Sequence, residues 1–433
     1  MQDVLFTDLI IPRLGVAKFD AVKTLSHKVD DIREDNQILF CRHSVDFQEY
    51  AAHQAKLPLL ELAGPRAKIF FNPRRVKVGI VTCGGLCPGL NTIIRSLVFT
   101  AHQYYGIRTI YGFRYGYSGL NPRVGLPPLK LDPDSVDNIH AQGGTILGSS
   151  RGPQEAKVMV DYLETLGVNV LFVVGGDGTM RGALDLTQEV AKRRLAIAII
   201  GIPKTIDNDI AFIGRSFGFE SAVEEATRVI AAAHMEAKGA VNGIGLVKLM
   251  GRESGFIAAN AALASCVVNF CLIPESPFRL DKFLPDLERR IKRRHHAVIV
   301  VAEGAGQDLI PQTKAAFDKS GNKRLQDIGA FLKNEIVQYF TRKKLEANVR
   351  YIDPSYAIRS VAPTGDDNVF CLMLGQSAVH AAMSGRTAMV VGHRNEHFVH
   401  LPMTLVTRFR KKIEIHGRVW RTVLDTTGQA EYK

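Results

Sequence analysis

The chain of 433 residues has few of the features that mark secreted, membrane-spanning or fibrous proteins. Six cysteines do not make a disulfide scaffold in a protein of this size. No apolar run approaches the roughly 20 residues that a transmembrane helix needs. The first 20 residues lack the basic start and apolar core of a secretory signal, and the chain has no fixed-period repeat or low-complexity segment. We therefore expect a cytoplasmic protein with no membrane partner.

Two kinds of site find little support in the sequence. Cys83 and Cys87 are separated by three residues, not the two of a redox or zinc pair, and no second pair with histidine follows, which favours small apolar filler. The net charge of +12 fits a nucleic-acid partner, but no aromatic RNA motif, zinc finger or basic zipper is present. The sharpest basic run, Arg289 to Arg294, ends a predicted helix over residues 282–294, where cations suit the helix dipole. We favour phosphorylated small molecules as partners and expect no nucleic acid; a non-catalytic nucleic-acid-binding protein is the alternative.

The hydrophobic pattern indicates an α/β protein of two or three domains. Apolar runs predict strands at residues 76–82, 109–113, 171–174, 196–202, 244–249, 297–302 and 369–373. Helical periodicity is clearest at residues 220–235 and 327–344. Apolar strands that alternate with helices are typical of parallel sheets covered on both faces. Residues 1–75 have weaker patterns and are interpreted as a small accessory region.

Three turns that follow strands of the first half carry glycine or acidic residues. The sequence Gly-Gly-Asp-Gly-Thr at 175–179 lets backbone amides approach phosphate oxygens, and its one carboxylate can hold a Mg²⁺ ion that the phosphates share. The alternative is a tight turn with an aspartate helix cap. The segment TCGGLCPGLN at 82–91 precedes a predicted helix and fits a phosphate cradle or a packing turn, but it is neither a Walker loop nor a dinucleotide fingerprint.

The third turn, GIPKTIDND at 201–209, has more charge than a turn requires. An aspartate there can remove a hydroxyl proton while its neighbour orients metal or water. Lys204 can neutralise charge on a transferring phosphoryl group. The alternative is a solvated acidic loop.

The motifs GGLCPGLN, GGDGT and PKTIDND, in this order and spacing, resemble those of the 6-phosphofructokinase family. The resemblance continues through GGTILGSSR, MGRESG, AEG and YIDPSYAIR and spans roughly residues 76–391. The long N-terminal part and the PKTIDND and YIDPSY forms are most similar to the branch shared by plant, protist and some bacterial enzymes. The resemblance implies two similar Rossmann-like α/β domains with parallel-rich sheets and the active site between them, after an N-terminal extension.

The resemblance also implies a domain plan and an assembly. A nucleotide-binding domain would occupy residues 76–217 and be completed by about 360–405, a sugar-phosphate domain would occupy 218–359, and 406–433 would form a C-terminal tail. The implied reaction is the glycolytic phosphorylation of fructose 6-phosphate by ATP with Mg²⁺. The family implies an allosteric homo-oligomer, either a dimer or a tetramer.

Residue by residue, the resemblance makes Asp207 the base for the sugar 1-hydroxyl, with Lys204, Thr205 and Arg252 as further catalytic groups. Asp177 and Asp209 would hold Mg²⁺. The nucleotide would contact Gly85, Arg151, Gly152, Gly176, Asp177, Gly178 and Thr179. The sugar phosphate would contact Thr205, Ile206, Asp207, Met250, Gly251, Arg252, Glu303, Arg350, Tyr356 and Arg359, with Arg350 reaching across a subunit interface.

Some positions depart from the simple bacterial pattern. Gly243 stands where those members carry an arginine, so one cross-subunit phosphate contact is not implied, and Tyr356 replaces a common histidine. Lys204 is typical of pyrophosphate-using relatives, whereas Gly178 leaves room for the α-phosphate of ATP. We weight Gly178 more heavily and keep a pyrophosphate-dependent enzyme as the alternative. Lipid and NAD kinases share GGDGT but lack the matching PKTIDND and MGRESG motifs.

Overall fold

The computed structural model describes residues 4–21, 31–41, 47–48, 51–52, 57–311 and 324–432. The strands are β1 (Phe19–Asp20), β2 (Gln37–Leu39), β3 (Leu59–Glu61), β4 (Lys68–Ile69), β5 (Lys77–Thr82), β6 (Thr109–Phe113), β7 (Leu129–Lys130), β8 (Val170–Gly175), β9 (Ala198–Pro203), β10 (Gly243–Leu249), β11 (Phe270–Leu272), β12 (His296–Ala302), β13 (Asn348–Ile352), β14 (Met389–Arg394) and β15 (His397–Pro402). The helices are α1 (Leu90–Phe99), α2 (Ala156–Leu166), α3 (Asp177–Lys192), α4 (Phe219–Lys238), α5 (Phe256–Ser265), α6 (Leu280–Arg294), α7 (Ile328–Arg342), α8 (Ser355–Ser360), α9 (Gly365–Met383), α10 (Met403–Arg408) and α11 (Arg418–Thr427). No described helix is both long and apolar enough to cross a membrane.

The described residues fold as two compact units. The first unit takes its residues from 1–205, 210–218 and 362–410. The second unit takes its residues from 206–209, 219–361 and 411–433. The chain therefore leaves the first unit inside the PKTIDND motif.

The first unit is built on a seven-stranded sheet with the order β15-β14-β9-β8-β5-β6-β7. Its five inner strands are parallel, and β7 and β15 pair antiparallel at the two edges. Every residue of β8 and β9 is buried, as expected for parallel strands covered on both faces. From β5 the chain places β6 on one side and β8 on the other, which opens a crevice at the carboxyl ends of β5 and β8.

The second unit has a four-stranded parallel sheet with the order β11-β12-β10-β13. The middle strands β10 and β12 are almost completely buried. Apolar side chains of α6 and α7, including Phe283, Leu287, Leu332 and Phe340, form one core with β12. The carboxyl ends of β10, β12 and β13 lead directly into the MGRESG, AEG and IDPSYAIR motifs. The sheet therefore presents three of the predicted sugar-phosphate motifs at the same edge.

The predicted α/β class is confirmed, and so are six of the seven predicted strands to within two residues at each end. The strand predicted at residues 369–373 is wrong, because this run lies inside helix α9. Thr364 caps that helix by accepting a hydrogen bond from the Asp367 amide, and Asp366 and Asp367 occupy its first turn. Within this run Phe370 and Cys371 are buried whereas Val369 and Met373 are exposed, and a short apolar run alone does not distinguish a helix from a strand.

A partly buried group of charges fixes part of the N-terminal segment to the rest of the first unit. Arg386, only 1% exposed, donates hydrogen bonds to Glu61 at 2.6 Å and to Glu34 at 2.9 Å. His400 contacts the same Glu61 oxygen at 3.3 Å. Burial lowers the pKa of His400 to about 4 despite the neighbouring Glu61. The described part of residues 1–75 is thus tied to Arg386, just before β14, by ion pairs and to His400 of β15 by a side-chain contact, not by apolar packing alone.

Candidate active site

The loop after β5 begins the candidate site of the first unit. Gly84 has a φ of +85°, a conformation that glycine adopts without steric cost. Its amide donates to the Ser150 carbonyl at 3.1 Å, and the Ser149 hydroxyl donates to its carbonyl at 2.6 Å. A Cβ atom added at Gly85 would lie 3.6 Å from a terminal nitrogen of Arg151. The structure therefore brings together two predicted nucleotide-binding segments, at Gly85 and at Arg151 with Gly152.

The loop after β8 forms the beginning of helix α3. Gly176 is the N-cap residue and Asp177 is the first helical residue, so the amides of the first turn lack intrahelical acceptors and can bind an anion. A Cβ atom built on Gly178 would meet no other atom within 4 Å. The space beside the carboxylate turn is thus open, as the argument for ATP requires.

Two arginines that sequence reasoning did not select bind the Asp177 carboxylate. Arg181 lies one helical turn further along α3, and Arg410 comes from the segment after α10. A terminal nitrogen of each lies 3.0 Å from the same oxygen, Oδ2 of Asp177. The spacing of Arg181 could have been recognised from the sequence, whereas Arg410 is 233 residues away along the chain.

Tyr117 supports the same turn from below. Its side chain is buried, and its hydroxyl donates to the Thr179 carbonyl at 2.6 Å. Burial raises the pKa of Tyr117 well above its usual value, so the hydroxyl stays a donor at neutral pH. A Cβ atom added at Gly182 would come within 2.7 Å of the Tyr117 ring, which explains the glycine there. Tyr117 therefore helps to position the beginning of helix α3.

The loop after β9 joins the other two through Lys204. The Lys204 amide donates to the Gly175 carbonyl at 2.9 Å, and its ammonium donates to the Gly85 carbonyl at 2.5 Å. Lys204 is only 6% exposed. The Thr205 carbonyl accepts a hydrogen bond from the Ser216 hydroxyl at 2.6 Å. The three turns predicted to handle phosphates are therefore connected at the carboxyl edge of one sheet.

The second unit contains the rest of the PKTIDND motif, from Ile206 to Asp209. The Oδ1 atom of Asp207 is buried, and the Asp207 carbonyl accepts a hydrogen bond from the Ser254 hydroxyl at 3.4 Å. The Asp209 carbonyl accepts from the Lys411 amide at 2.9 Å. The predicted base thus lies against the MGRESG loop, which contains Met250, Gly251 and Arg252.

Glycines let the MGRESG and AEG loops approach each other closely. Gly251 has a φ of +126°, and a Cβ atom there would lie 2.4 Å from the Ser254 carbonyl oxygen. A Cβ atom at Gly304 would lie 1.9 Å from the Arg252 carbonyl oxygen. The Gly304 amide donates to the Gly251 carbonyl at 3.0 Å, and the Glu303 amide donates to the Leu249 carbonyl at 2.9 Å. These contacts hold Arg252 and Glu303 beside each other.

The charges of the second unit converge on Glu303. Burial raises the pKa of Glu303, while the positive charges of Arg252, Lys248 and Arg359 act in the opposite direction. The guanidinium of Arg359 lies over the Tyr356 ring at 4.4 Å, and its buried Nε has no hydrogen-bond acceptor in the described part of the chain. An arginine nitrogen held without an acceptor beside other cations is suited to an anionic ligand.

Lys248 is a functional candidate that sequence reasoning missed. Its ammonium lies 2.8 Å from Asp353 and 3.2 Å from Asp327, and Asp327 also accepts a hydrogen bond from the Tyr351 hydroxyl at 2.8 Å. Burial alone would lower the pKa of Lys248, but these partners raise it overall. The lysine stays charged and joins the ends of β10 and β13. Its position one residue before the end of a strand gave no signal in the sequence.

Two further predicted positions lie at different places in this sheet. Arg350 is exposed on β13, the edge strand that pairs only with β10 among the described strands. Gly243 begins β10, and a Cβ atom there would lie 2.1 Å from the Ala237 carbonyl oxygen. The close approach of α4 therefore excludes an arginine side chain at position 243.

The donor set fits Mg²⁺ only as a partner of bound phosphates. Among the described residues no group of three or more histidine, cysteine, aspartate or glutamate side chains could hold a metal ion. Asp177 offers one carboxylate at the phosphate-binding turn, and its side chain is partly exposed. Mg²⁺ is commonly bound by one or two carboxylates together with substrate phosphates. Asp177 is therefore a suitable protein ligand for a metal that arrives with the donor.

Comparisons with known proteins identify the family of this chain. The sequence profile described as phosphofructokinase matches residues 77–382. The chain is 49% identical to the ATP-dependent 6-phosphofructokinase of Borreliella burgdorferi over 98% of this chain and 97% of the relative. It is 48% identical to the ATP-dependent 6-phosphofructokinase of Trypanosoma brucei brucei over 86% of this chain and 77% of that protein.

Solved structures show the same fold at lower identity. The pyrophosphate-dependent phosphofructokinase of Marinobacter aquaeolei superposes with a TM-score of 0.68 at 20% identity, covering 82% of this chain and 92% of that one. The T-state phosphofructokinase of Pichia pastoris superposes with a TM-score of 0.63 at 24% identity, covering 77% of this chain and 35% of that one. The chain belongs to the phosphofructokinase family.

Proposed function

We propose that this protein is an ATP-dependent 6-phosphofructokinase that converts fructose 6-phosphate and ATP to fructose 1,6-bisphosphate and ADP. The similarity of almost the whole chain to ATP-dependent enzymes supports this proposal. The observation that carries the choice of donor is Gly178. Its position in the first turn of α3 is open, so an α-phosphate bound beside it would meet no side chain there.

In the proposed reaction the sugar 1-hydroxyl attacks the γ-phosphorus of ATP, and the bond from that phosphorus to the β-γ bridging oxygen breaks. Asp207 accepts the hydroxyl proton. The first-turn amides of α3 and the ammonium of Lys204 would stabilise charge on the transferring group. Mg²⁺ would be held by Asp177, with Asp209 as the second proposed carboxylate, and would neutralise the donor phosphates when bound.

The sugar phosphate would be held by the second unit. Arg252 and Arg359 provide planar guanidinium groups that match phosphate oxygens, and Glu303 can accept hydrogen bonds from sugar hydroxyls. Met250, Gly251 and Tyr356 would complete this surface. The exposed position of Arg350 on an edge strand supports a contact with a second subunit, so we also propose a homo-oligomer. We further propose that the enzyme is cytoplasmic.

The test is consumption of fructose 6-phosphate in the presence of Mg²⁺ with ATP or pyrophosphate as the only donor, each at several concentrations. We expect a higher kcat/KM with ATP. A higher kcat/KM with pyrophosphate would show that Lys204 rather than Gly178 identifies the donor. Absence of turnover with either donor would refute the assignment to this reaction.

A further inference from the structure

Asp177 is held by two arginines in this structure, and neither belongs to the predicted nucleotide site. A terminal nitrogen of Arg181 and one of Arg410 each lie 3.0 Å from the same carboxylate oxygen, and the Arg410 nitrogen donates a hydrogen bond to it. The side chains of Arg181 and Arg410 are 63% and 35% exposed, so both can move to another acceptor. They lie at the helix N-terminus that faces the donor phosphates in the proposed function.

The backbone of Arg410 is fixed although its side chain is exposed. Residue 410 forms an antiparallel bridge with Ile210, directly after the PKTIDND motif. Arg408, two residues earlier, lies 3.4 Å from Asp8 instead. Asp177 is thus a partner of an arginine whose backbone position is fixed, and Arg408 provides a basic neighbour that contacts Asp8.

The charges at this turn oppose a free divalent cation. One carboxylate is surrounded by two guanidinium groups, so Mg²⁺ alone would replace a hydrogen-bonded ion pair and meet two positive charges. When the metal ion is bound to a triphosphate, the negative charge of the phosphates exceeds the positive charge of the ion. The two arginines can then leave Asp177 for phosphate oxygens, for which guanidinium groups are well suited.

We propose that Arg181 and Arg410 bind the donor phosphates. Until the donor binds, both arginines contact Asp177, the carboxylate that would hold the metal. In this arrangement Asp177 binds the metal only when the two arginines have moved from its carboxylate to the oxygens of a polyphosphate. The site consequently discriminates against free Mg²⁺ and binds the metal–donor complex. This inference rests on the proposed function, because it takes the ligand to be a metal–nucleotide complex.

The experiment measures binding of Mn²⁺, which electron paramagnetic resonance detects when free, to the full-length protein without sugar. Titrations are made with Mn²⁺ alone and with Mn²⁺–ATP, for the native protein and for Arg181→Gln, Arg410→Gln and Arg408→Gln. We expect Arg410→Gln and Arg181→Gln each to bind free Mn²⁺ at least threefold more tightly. The same variants should bind Mn²⁺–ATP about tenfold more weakly, the loss typical of a charge-assisted hydrogen bond. Arg408→Gln should change neither affinity.

The opposite changes for free and complexed metal distinguish this role from a structural one. A variant that weakens both affinities equally, or leaves Mn²⁺–ATP binding unchanged, would overturn the proposal. Thermal unfolding of each variant reports its folded state, and Arg410→Lys should retain part of the discrimination because it keeps the charge. A parallel titration with Mn²⁺–pyrophosphate separates the two proposals. Tight binding of Mn²⁺–pyrophosphate without binding of Mn²⁺–ATP would refute ATP as the donor. A higher affinity of the Arg181→Gln and Arg410→Gln variants for free Mn²⁺ would still support the arginine exchange.

Discussion

Replacement of Gly178 by aspartate tests which donor the turn after β8 admits. Gly178 is the second residue of α3, and it is not among the glycines with positive φ. Because a Cβ atom there contacts nothing within 4 Å, the variants should fold. Alanine should stabilise the helix by up to about 1 kcal/mol, and aspartate in the first turn by about 0.3–1 kcal/mol through the helix dipole. Any loss of activity would therefore come from a changed interaction with the bound donor and not from misfolding.

The expected magnitude follows from the charge that aspartate brings into this open space. A carboxylate about 4 Å from an α-phosphate oxygen is repelled by about 4 kcal/mol at an effective dielectric constant of about 20. That energy corresponds to roughly a thousandfold loss in kcat/KM for ATP. Arg181 and Arg410 lie beside the same turn and would offset part of the repulsion. We therefore expect a loss of about 10²- to 10³-fold.

The assay couples fructose 1,6-bisphosphate formation to aldolase and follows kcat/KM with ATP and with pyrophosphate. Gly178→Asn matches aspartate in shape without the charge, so its smaller loss isolates the steric part, and Gly178→Ala should stay near the native value. The Gly178→Asp variant should have an unfolding temperature at or above that of the native protein. If it keeps ATP turnover within threefold of native while folded, the α-phosphate does not pass beside residue 178 and the reasoning fails.

Three further predictions concern the base, the sugar phosphate and the buried ion cluster. Asp207→Asn should lower kcat by about 10²- to 10⁴-fold with little change in the fructose 6-phosphate KM, and near-native turnover would exclude Asp207 as the base. Arg252→Lys should weaken kcat/KM for the sugar far more than the KM for nucleotide, because the planar fork is lost; equal effects on both would contradict that role. The pKa of His400 near 4 lies below that of an unfolded histidine near 6.5, so the unfolded state binds more protons between these pH values. His400 should contribute about 3 kcal/mol to the rise in the free energy of unfolding from pH 4 to pH 6.5, and chemical denaturation of His400→Asn should show a smaller rise across this range than the native protein does.

Prediction from the sequence succeeded where a local pattern determines the structure. The six correctly predicted strands are largely buried apolar runs that end in a glycine or charged turn, and such runs can be recognised one at a time. Residues 369–373 are also an apolar run in the sequence but lie in α9, whose beginning is stabilised by the Thr364 cap and an acidic first turn. The error shows that an apolar run of five residues lacks the length that would reveal a period of 3.6.

Prediction was incomplete where the site depends on contacts between distant parts of the chain. Arg410 reaches Asp177 only because its segment forms a bridge with Ile210, which no spacing in the sequence reveals. Lys248 lies inside a strand and becomes a site candidate through Asp353 and Asp327, both far along the chain. In both cases the chemistry arises from the pairing of charges across elements, and single-sequence patterns describe only the elements themselves.

The conflict between Gly178 and Lys204 as indicators of the donor is reduced by where the structure places the lysine. The Lys204 ammonium is buried and bound to the Gly85 carbonyl, and the Lys204 amide is bound to Gly175. A Cβ atom at Gly84 would approach that ammonium within 3.2 Å, so the loop after β5 closely surrounds it. A lysine that joins two phosphate-binding loops is useful whichever polyphosphate they hold, because the loops must keep their positions for either donor. Lys204 therefore does not by itself argue for pyrophosphate, whereas the open space at Gly178 bears directly on the α-phosphate and its attached nucleoside.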